Sequence, residues 1–152
     1  MNIRQLTKTD LPIILVIEQT GQDIPWSEEA FARCWEANYP GWVIEDEGEI
    51  IGFIWISLAS GECHVLNLCI SQVKQRKGYG RELLIYALNW SRSQGAGIVY
   101  LEVRRSNTRA IALYRKMNFK QIGERKSYYP TATGKEDALI FARDLGIEDI
   151  MT

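Results

Sequence analysis

The sequence predicts an α/β domain with a mixed, mostly antiparallel sheet of about seven strands and helices on both faces. Short β-rich runs follow one another between positions 42 and 70, and a helical pattern of apolar residues begins at Gly78. A strand, a short helix and two more β-rich runs come after that helix. Consecutive strands followed by helix-connected strands are typical of a mixed sheet that is covered on both sides.

The length and composition favour one domain over positions 1–152. Of the 152 residues, 46% are hydrophobic and 24% are charged, so the chain can fill a core and differs from a disordered chain. Eighteen Lys and Arg residues stand against 19 Asp and Glu, which disfavours nucleic acid as a partner. No stretch approaches the ~18 apolar residues of a membrane span, so we expect no membrane partner and a cytoplasmic location.

The cysteines predict no metal site. Cys34, Cys63 and Cys69 are an odd number without CxxC spacing, and His64 is the only histidine that could join them. Reduced thiols are the simpler interpretation. We assign no catalytic role to Cys69 or His64, because no partnered base is evident for either.

The N-terminal part predicts one strand and two helices. Residues 2–6 form the strand, and Asp10 with the neighbouring threonines provides capping groups for the first helix. Ser27 is the predicted N-cap of a second helix, which has two glutamates in its favourable first turn and ends near Pro40.

The middle of the chain predicts an antiparallel meander. A Gly-bearing acidic turn at 45–49 joins β-rich runs at 42–44 and 50–56, which is typical of a hairpin. The apolar run from Cys63 to Ile70 predicts the next strand.

The remaining part predicts alternating helices and strands. Periodic apolar residues define the helices, and β-branched and aromatic runs define the strands. The predicted elements are a helix from Gly78 to about Gln94, a strand at 98–103, a short helix capped by Asn107, and strands at 119–128 and 138–143 joined by a loop from Pro130 to Gly134.

The most informative segment is Gln75-Arg76-Lys77-Gly78-Tyr79-Gly80-Arg81, between a predicted strand and the long helix. Glycines let backbone N–H groups approach an anion, the helix start supplies unpaired donors, and the basic side chains add charge. This combination favours a pyrophosphate ligand. Taken alone the Q-x-x-G-x-G pattern is weak, because about one chain in ten of this size has it by chance.

The flanking segments make the pattern specific. Asn67-Leu68-Cys69-Ile70 precedes the loop, and Leu101-Glu102-Val103, Ser106-Asn107 and Ala112-Leu113-Tyr114 follow it. With these flanks the chain resembles the GNAT superfamily of acetyl-CoA-dependent N-acetyltransferases. Ile24-Pro25-Trp26-Ser27 and Tyr128-Tyr129-Pro130 resemble the RimI group, whose members acetylate the N-terminal alanine of a small-subunit ribosomal protein. The resemblance spans about residues 3–143.

The resemblance implies a GNAT fold and direct acetyl transfer in a ternary complex, with acetyl-CoA as the cosubstrate and no metal. The sequence departs from the family pattern at Asn118, where family members usually have a Gly before the Phe. Asn is the common second choice for a left-handed residue after a helix, so we expect the turn to survive. The implied cofactor contacts are Leu68, Cys69, Ile70, Arg76, Lys77, Gly78, Tyr79, Gly80, Arg81, Asn107 and Tyr114, the first three through main-chain groups.

Two residues receive catalytic roles from the resemblance. Glu102 is implied as the general base that takes the ammonium proton, and Tyr114 as the group that protonates the coenzyme A thiolate. The alternative for Glu102 is a charged side chain at a strand end, and for Tyr114 a core aromatic. Asn107 has the alternative role of a helix N-cap only.

Trp26 and Tyr129 are candidates for a wall around the incoming peptide, because aromatic side chains give large, rigid contact areas. Packing in the core or in a turn explains each of them equally well. The preferred acceptor is the N-terminal segment of a ribosomal protein, and we expect a monomer or weak dimer. The alternatives are another protein N-terminus, a lysine, a small amine, a non-catalytic acyl-CoA sensor, or an adaptor that docks onto the ribosome.

Overall fold

The computed structural model describes residues 1–146 and residue 150, and contains seven strands and four α-helices in this part of the chain. Short 3₁₀ turns at Lys8–Asp10 and Gln72–Lys74 precede the first and third helices. The elements are β1 (Asn2–Gln5), α1 (Leu11–Gly21), α2 (Glu28–Glu36), β2 (Gly41–Asp46), β3 (Glu49–Ala59), β4 (Glu62–Ile70), α3 (Tyr79–Ser93), β5 (Ile98–Arg104), α4 (Thr108–Lys116), β6 (Lys120–Thr131) and β7 (Gly134–Asp144).

One mixed sheet contains all seven strands, in the order β1-β2-β3-β4-β5-β7-β6. Every neighbouring pair is antiparallel except β4 and β5, which run parallel. Helix α3 is the connection that this parallel pair requires. The mixed, mostly antiparallel sheet predicted from the sequence is therefore confirmed.

Two apolar layers cover the two faces of the sheet, and strand β3 shows why. Phe53 and Trp55 pack with residues of α1 and α2, whereas Ile54 and Ile56 pack with residues of α3 and α4. All four side chains are fully buried. A strand buried on both faces lacks apolar–polar alternation, which explains the continuous apolar run in this part of the sequence.

Local signals set several element ends as predicted. Glu47 and Gly48 both have positive φ, the geometry of a two-residue hairpin turn between β2 and β3. Ser27 Oγ and Asn107 Oδ1 accept the N–H groups of residues three positions later, at 3.2 Å, and so cap α2 and α4. Asn118 has a φ of 64°, the left-handed conformation expected after α4.

The predicted loop from Pro130 to Gly134 is wrong. Strands β6 and β7 extend into it, with Pro130 opposite Lys135 and Thr131 opposite Gly134, so that only two residues form the turn. Proline is tolerated there because β6 is an edge strand and has no ladder partner on its outer side. Turn composition alone did not indicate this.

None of the helices in the described part of the chain is both long enough and apolar enough to span a membrane.

Candidate active site

The parallel strands β4 and β5 diverge halfway along their length. They pair from Glu62 and Ile98 up to Val65 and Leu101, and no further. Beyond that point β4 continues beside β3, and β5 continues beside β7. Within the described residues, the edge of β4 at 68–70 therefore has no strand neighbour on the β5 side. Main-chain groups on that side are available to a ligand, except for the Ile70 carbonyl, which accepts a hydrogen bond from Gln75.

A cleft of about 940 Å³ opens where the two strands diverge. Its walls include β4, the Gly-containing loop, the start of α3, and α4. Most of the predicted cofactor residues meet here, although Lys77 does not line the cleft. Those that do are Leu68, Cys69, Ile70, Arg76, Gly78, Tyr79, Gly80, Arg81, Asn107 and Tyr114.

The loop before α3 has the backbone of an anion site. Gly78 has a φ of 88°, a conformation that favours glycine. A Cβ atom added there would meet nothing within 4 Å, so the backbone is open at this position. The first backbone bond of the helix runs from the Glu82 N–H to the Gly78 carbonyl. The N–H groups of the first turn thus have no helical acceptor.

A hydrogen bond anchors the start of α3 to the sheet. The Tyr79 hydroxyl donates to Asp46 Oδ2 at 3.0 Å, and Lys74 Nζ lies 3.6 Å from the same oxygen. The bond to Asp46 raises the pKa of Tyr79. This contact joins the start of α3 to the end of β2 and thereby helps to fix the position of the Gly-containing loop.

Basic side chains dominate the charge of the cleft. Among the described residues that line it, six are basic and only Asp23 is acidic, so the cleft favours an anionic ligand. The six are Lys74, Arg76, Arg81, Arg104, Arg109 and Lys116.

Gln75 connects three walls of the cleft, a role that the sequence did not reveal. Its Nε2 donates to the carbonyl of Ile70 at 2.9 Å and to that of Gly21 at 3.5 Å. Its Oε1 accepts a hydrogen bond from Arg109 of α4. One amide thereby links the ends of α1 and β4 to the start of α4. The residue lies inside the recognised motif, but the sequence does not specify its partners.

Tyr114 lies on α4, with its ring against Phe119 and only 8% of its surface exposed. Within residues 1–146, its hydroxyl has no hydrogen-bond partner, and the residue lines the cleft. Burial, with a smaller contribution from Tyr129, raises the pKa of Tyr114 well above its ordinary value. The phenol is thus protonated at neutral pH, which is the state that a proton donor requires.

Glu102 immediately follows the last β4–β5 pair. It is not among the residues that line the cleft, and its Oε1 accepts from Arg125 Nε of β6 at 2.9 Å. The Glu102 side chain is 30% exposed and that of Arg125 is 55% exposed, so the ion pair lies at the surface. An acceptor amine that reaches Glu102 meets Arg125 as well.

Tyr129 lies near both candidate catalytic residues. Burial and the charge of Glu102 raise the pKa of Tyr129 to about 12. Arg104 stacks over its ring at 4.4 Å, and Tyr128 contacts it edge-on. The register of the β6–β7 pair is irregular between Arg125 and Tyr129, and Ser127 in this stretch has a φ of 53°. This irregularity determines where the side chains of Tyr128 and Tyr129 lie. Their grouping was not predictable from spacing.

Trp26 lies apart from this group. Its ring contacts Phe31 edge-on at 6.1 Å, and it packs against the apolar layer under α1 and α2. It lines a second cavity of about 690 Å³, together with residues of α2 and Leu66 of β4. A contact between Trp26 and an acceptor stays a prediction.

A buried carboxyl group holds the segment between α1 and α2. Glu18 is 1% exposed and accepts hydrogen bonds from the Trp26 N–H at 2.9 Å and from Asn67 Nδ2 at 3.0 Å. Gln22 Nε2 completes the network on Asn67 Oδ1 at 3.3 Å. The available signal was the position of Glu18, one turn after the buried Ile14 and next to the buried Ile17.

The model of the acetyltransferase (GNAT) family matches residues 4–119. The chain belongs to the GNAT acetyltransferase family. GNAT enzymes use acetyl-CoA as the cosubstrate, and the cleft fits the CoA part of that molecule. Its basic lining and Gly-containing loop suit the phosphates, and the open edge of β4 suits the amides of the pantetheine arm. Among the described residues, no group of His, Cys, Asp and Glu side chains could hold a metal ion.

This GNAT enzyme is similar to characterised N-terminal acetyltransferases. It is 36% identical over 140 residues to the ribosomal protein bS18-alanine N-acetyltransferase of Escherichia coli (strain K12), covering 92% of this chain and 95% of that one. It is 34% identical over 129 residues to the N-alpha-acetyltransferase RimI of Mycobacterium tuberculosis (strain ATCC 25618 / H37Rv), covering 82% of this chain and 78% of that one. The crystal structure of the ribosomal-protein-S18-alanine N-acetyltransferase from Escherichia coli superimposes with a TM-score of 0.90 at 34% identity, covering 97% and 96%.

The burial of Glu18 predicts a pH-dependent change in stability. Burial raises the pKa of Glu18, so the folded chain binds its proton more tightly than the unfolded chain does. The contribution of Glu18 to the stability of the parent protein therefore decreases as the pH rises from about 4, near the ordinary glutamate pKa. Glu18→Gln has no such titration. The free energy of unfolding of the variant minus that of the parent should increase between about pH 4 and neutral pH.

Urea denaturation of both proteins at several pH values measures this difference. Subtraction removes the pH-independent cost of placing an amide nitrogen where a carboxylate oxygen accepted a hydrogen bond. A difference that stays constant over the pH range, or decreases, would show that ionisation of Glu18 does not oppose folding.

Proposed function

We propose that this GNAT enzyme acetylates the N-terminal alanine of a small-subunit ribosomal protein of the bS18 type. The observation that supports the acceptor most strongly is the 36% identity over 92% of the chain to an enzyme named for that substrate. Tyr128 and Tyr129, which belong to the segment that resembles the RimI group, lie beside the candidate base. We also propose a single catalytic domain over 1–152, acting in the cytoplasm where ribosomal proteins are made.

The site supports direct transfer in a ternary complex. Acetyl-CoA supplies the acetyl group as a thioester. Glu102, at the point where β4 and β5 separate, takes a proton from the acceptor ammonium directly or through water. The Tyr114 hydroxyl, which has no partner in the described part of the chain, gives a proton to the thiolate sulfur. Main-chain N–H groups at 68–70 that point away from β3 polarise the thioester carbonyl, and the end of β4–β5 pairing at Val65 and Leu101 supports this role.

The residues around Glu102 suit a flexible peptide terminus. Arg125 pairs with Glu102 at the surface, and Tyr128 and Tyr129 present aromatic faces next to it. The acceptor ammonium, as a cation, is drawn to the same carboxylate as Arg125. The aromatic pair provides rigid contact area for the residues that follow the terminal alanine. Trp26 is the further candidate on the side of α2.

The substitution Glu102→Gln tests the proposed base. It should lower kcat for acetyl transfer by about a hundredfold or more, since general base catalysis contributes roughly 10²–10⁴ in rate. The affinity for CoA, measured by calorimetry, should change less than about twofold, because Glu102 does not line the cleft.

The matched control is Glu124→Gln on β6, where the carboxylate pairs with Arg105 and Lys126. This variant should transfer acetyl groups at the parental rate. Equal losses of CoA affinity and of rate in Glu102→Gln would remove the assignment of Glu102 as the base.

Acceptor profiling tests the proposed substrate. We expect the enzyme to acetylate a peptide with the alanine N-terminus of the ribosomal protein. The same peptide with a blocked terminus, a lysine-bearing peptide with a blocked terminus, and a small polyamine should remain unmodified. Mass spectrometry of the products after incubation with acetyl-CoA gives the site of each modification. Acetylation of lysine or of the small amine at comparable rates would be consistent with the proposed chemistry but would reject the N-terminal alanine as the specific acceptor. Cofactor binding without any product would favour the sensor.

A further inference from the structure

Arg109 is a basic residue of the cleft whose charge has no counterion among residues 1–146. It lies in the first turn of α4 and lines the cleft. Within the described residues its one hydrogen-bond partner is the neutral amide oxygen of Gln75. A guanidinium group has five N–H donors, so most of its capacity to donate is unused.

Other basic residues of the same cleft are neutralised by carboxylates. Lys74 pairs with Asp46 at 3.6 Å, and Arg104 pairs with Glu136 at 3.4 Å. Asp23, the only acidic lining residue, makes no ion pair with Arg109. Within the part of the chain that the structure describes, no carboxylate pairs with the guanidinium group of Arg109, which lies at the wall of a cleft that favours anions.

The contact with Gln75 fixes where this charge lies. Gln75 precedes Gly78 by three residues, and its Nε2 is already anchored on the Ile70 carbonyl at 2.9 Å. Gln75 consequently does not need Arg109 to hold its position. The contact instead brings the guanidinium group from α4 to the beginning of the phosphate-binding loop.

We propose that Arg109 binds a phosphate group of coenzyme A from the α4 side of the cleft, beside the beginning of the Gly-containing loop. Phosphate oxygens replace or join Gln75 as acceptors, because a charged, bidentate partner is stronger for guanidinium than a neutral amide. The cofactor phosphates are then held from two sides, by the loop and α3 on one and by α4 on the other. This inference deepens the cofactor half of the proposed function and does not depend on the identity of the acceptor.

The test compares CoA with pantetheine, which keeps the arm and lacks every phosphate. Calorimetry gives the Kd for CoA, and ligand-observed NMR gives the Kd for pantetheine. The variants are Arg109→Gln, Arg109→Lys and the matched control Arg115→Gln. Arg115 lies on the same helix, stacks over Phe141 at 5.3 Å and does not line the cleft. Circular dichroism verifies that each variant is folded.

Arg109→Gln should raise the Kd for CoA about tenfold, as expected for loss of a charge-assisted hydrogen bond, and leave the Kd for pantetheine within about twofold. The Kd of Arg109→Lys for CoA should lie between those of Arg109→Gln and the parent, since lysine keeps the charge and loses the bidentate geometry. Arg115→Gln should match the parent.

Two results would overturn the proposal. Unchanged CoA affinity in Arg109→Gln would show that no phosphate contacts this residue. An equal loss of affinity for CoA and pantetheine would show that Arg109 only shapes the cleft through Gln75. Neither measurement uses an acceptor, so both remain valid tests of Arg109 even if the enzyme does not acetylate an N-terminal alanine.

Discussion

The separation of β4 from β5 is the constraint on which the rest of the site depends. Two parallel strands that stay paired along their length leave no open edge and no space between them. Here pairing stops at Val65 and Leu101, while each strand continues with its other neighbour. The cleft, the exposed main chain at 68–70 and the position of Glu102 all result from that one break in the ladder.

The elements around the break are held by side-chain bridges that span long distances in sequence. Gln75 joins the ends of α1 and β4 to α4, and Glu18 joins α1 to Asn67 and to the Trp26 backbone. Such bridges restrict the motion of walls that have no strand pairing to restrain them. Burying the Glu18 carboxyl costs stability as its raised pKa shows, and the network offsets part of that cost.

The charge pattern divides the site into two regions. Basic side chains surround the Gly-containing loop, where we propose that the CoA phosphates bind. Around Glu102 the positive groups alternate with carboxylates, as in Arg104 with Glu136 and Arg125 with Glu102. The first region suits a strongly anionic cofactor, and the second suits an acceptor whose reacting group changes from a cation to a neutral amine.

Local sequence signals were sufficient to locate the strands, the helices and the loop before α3, although not the ends of β6 and β7. Caps such as Ser27 and Asn107, the Glu47-Gly48 turn and the left-handed Asn118 depend on a few neighbouring residues. The sequence could not predict features that depend on distant contacts. Pro130 extends a strand because its partner strand lies on one side only.

The same limit applies to the site. The candidate residues of the cleft were identified by resemblance to a family, and the structure brings most of them together. The Arg125–Glu102 pair depends on the irregular register of β6, and Asn67 reaches Glu18 across 49 positions of sequence. Neither pair follows from periodicity or from residue type.

The central claim is that the break between β4 and β5 forms the coenzyme A site. Amide hydrogen exchange with and without CoA tests it most directly, because it reports on the backbone and needs no acceptor. We predict slower exchange on CoA binding at residues 68–70 and 76–81, with no change in α2, which lines the separate cavity beside Trp26. Slowing centred on α2, or CoA binding without slowing at 68–70 and 76–81, would contradict the account.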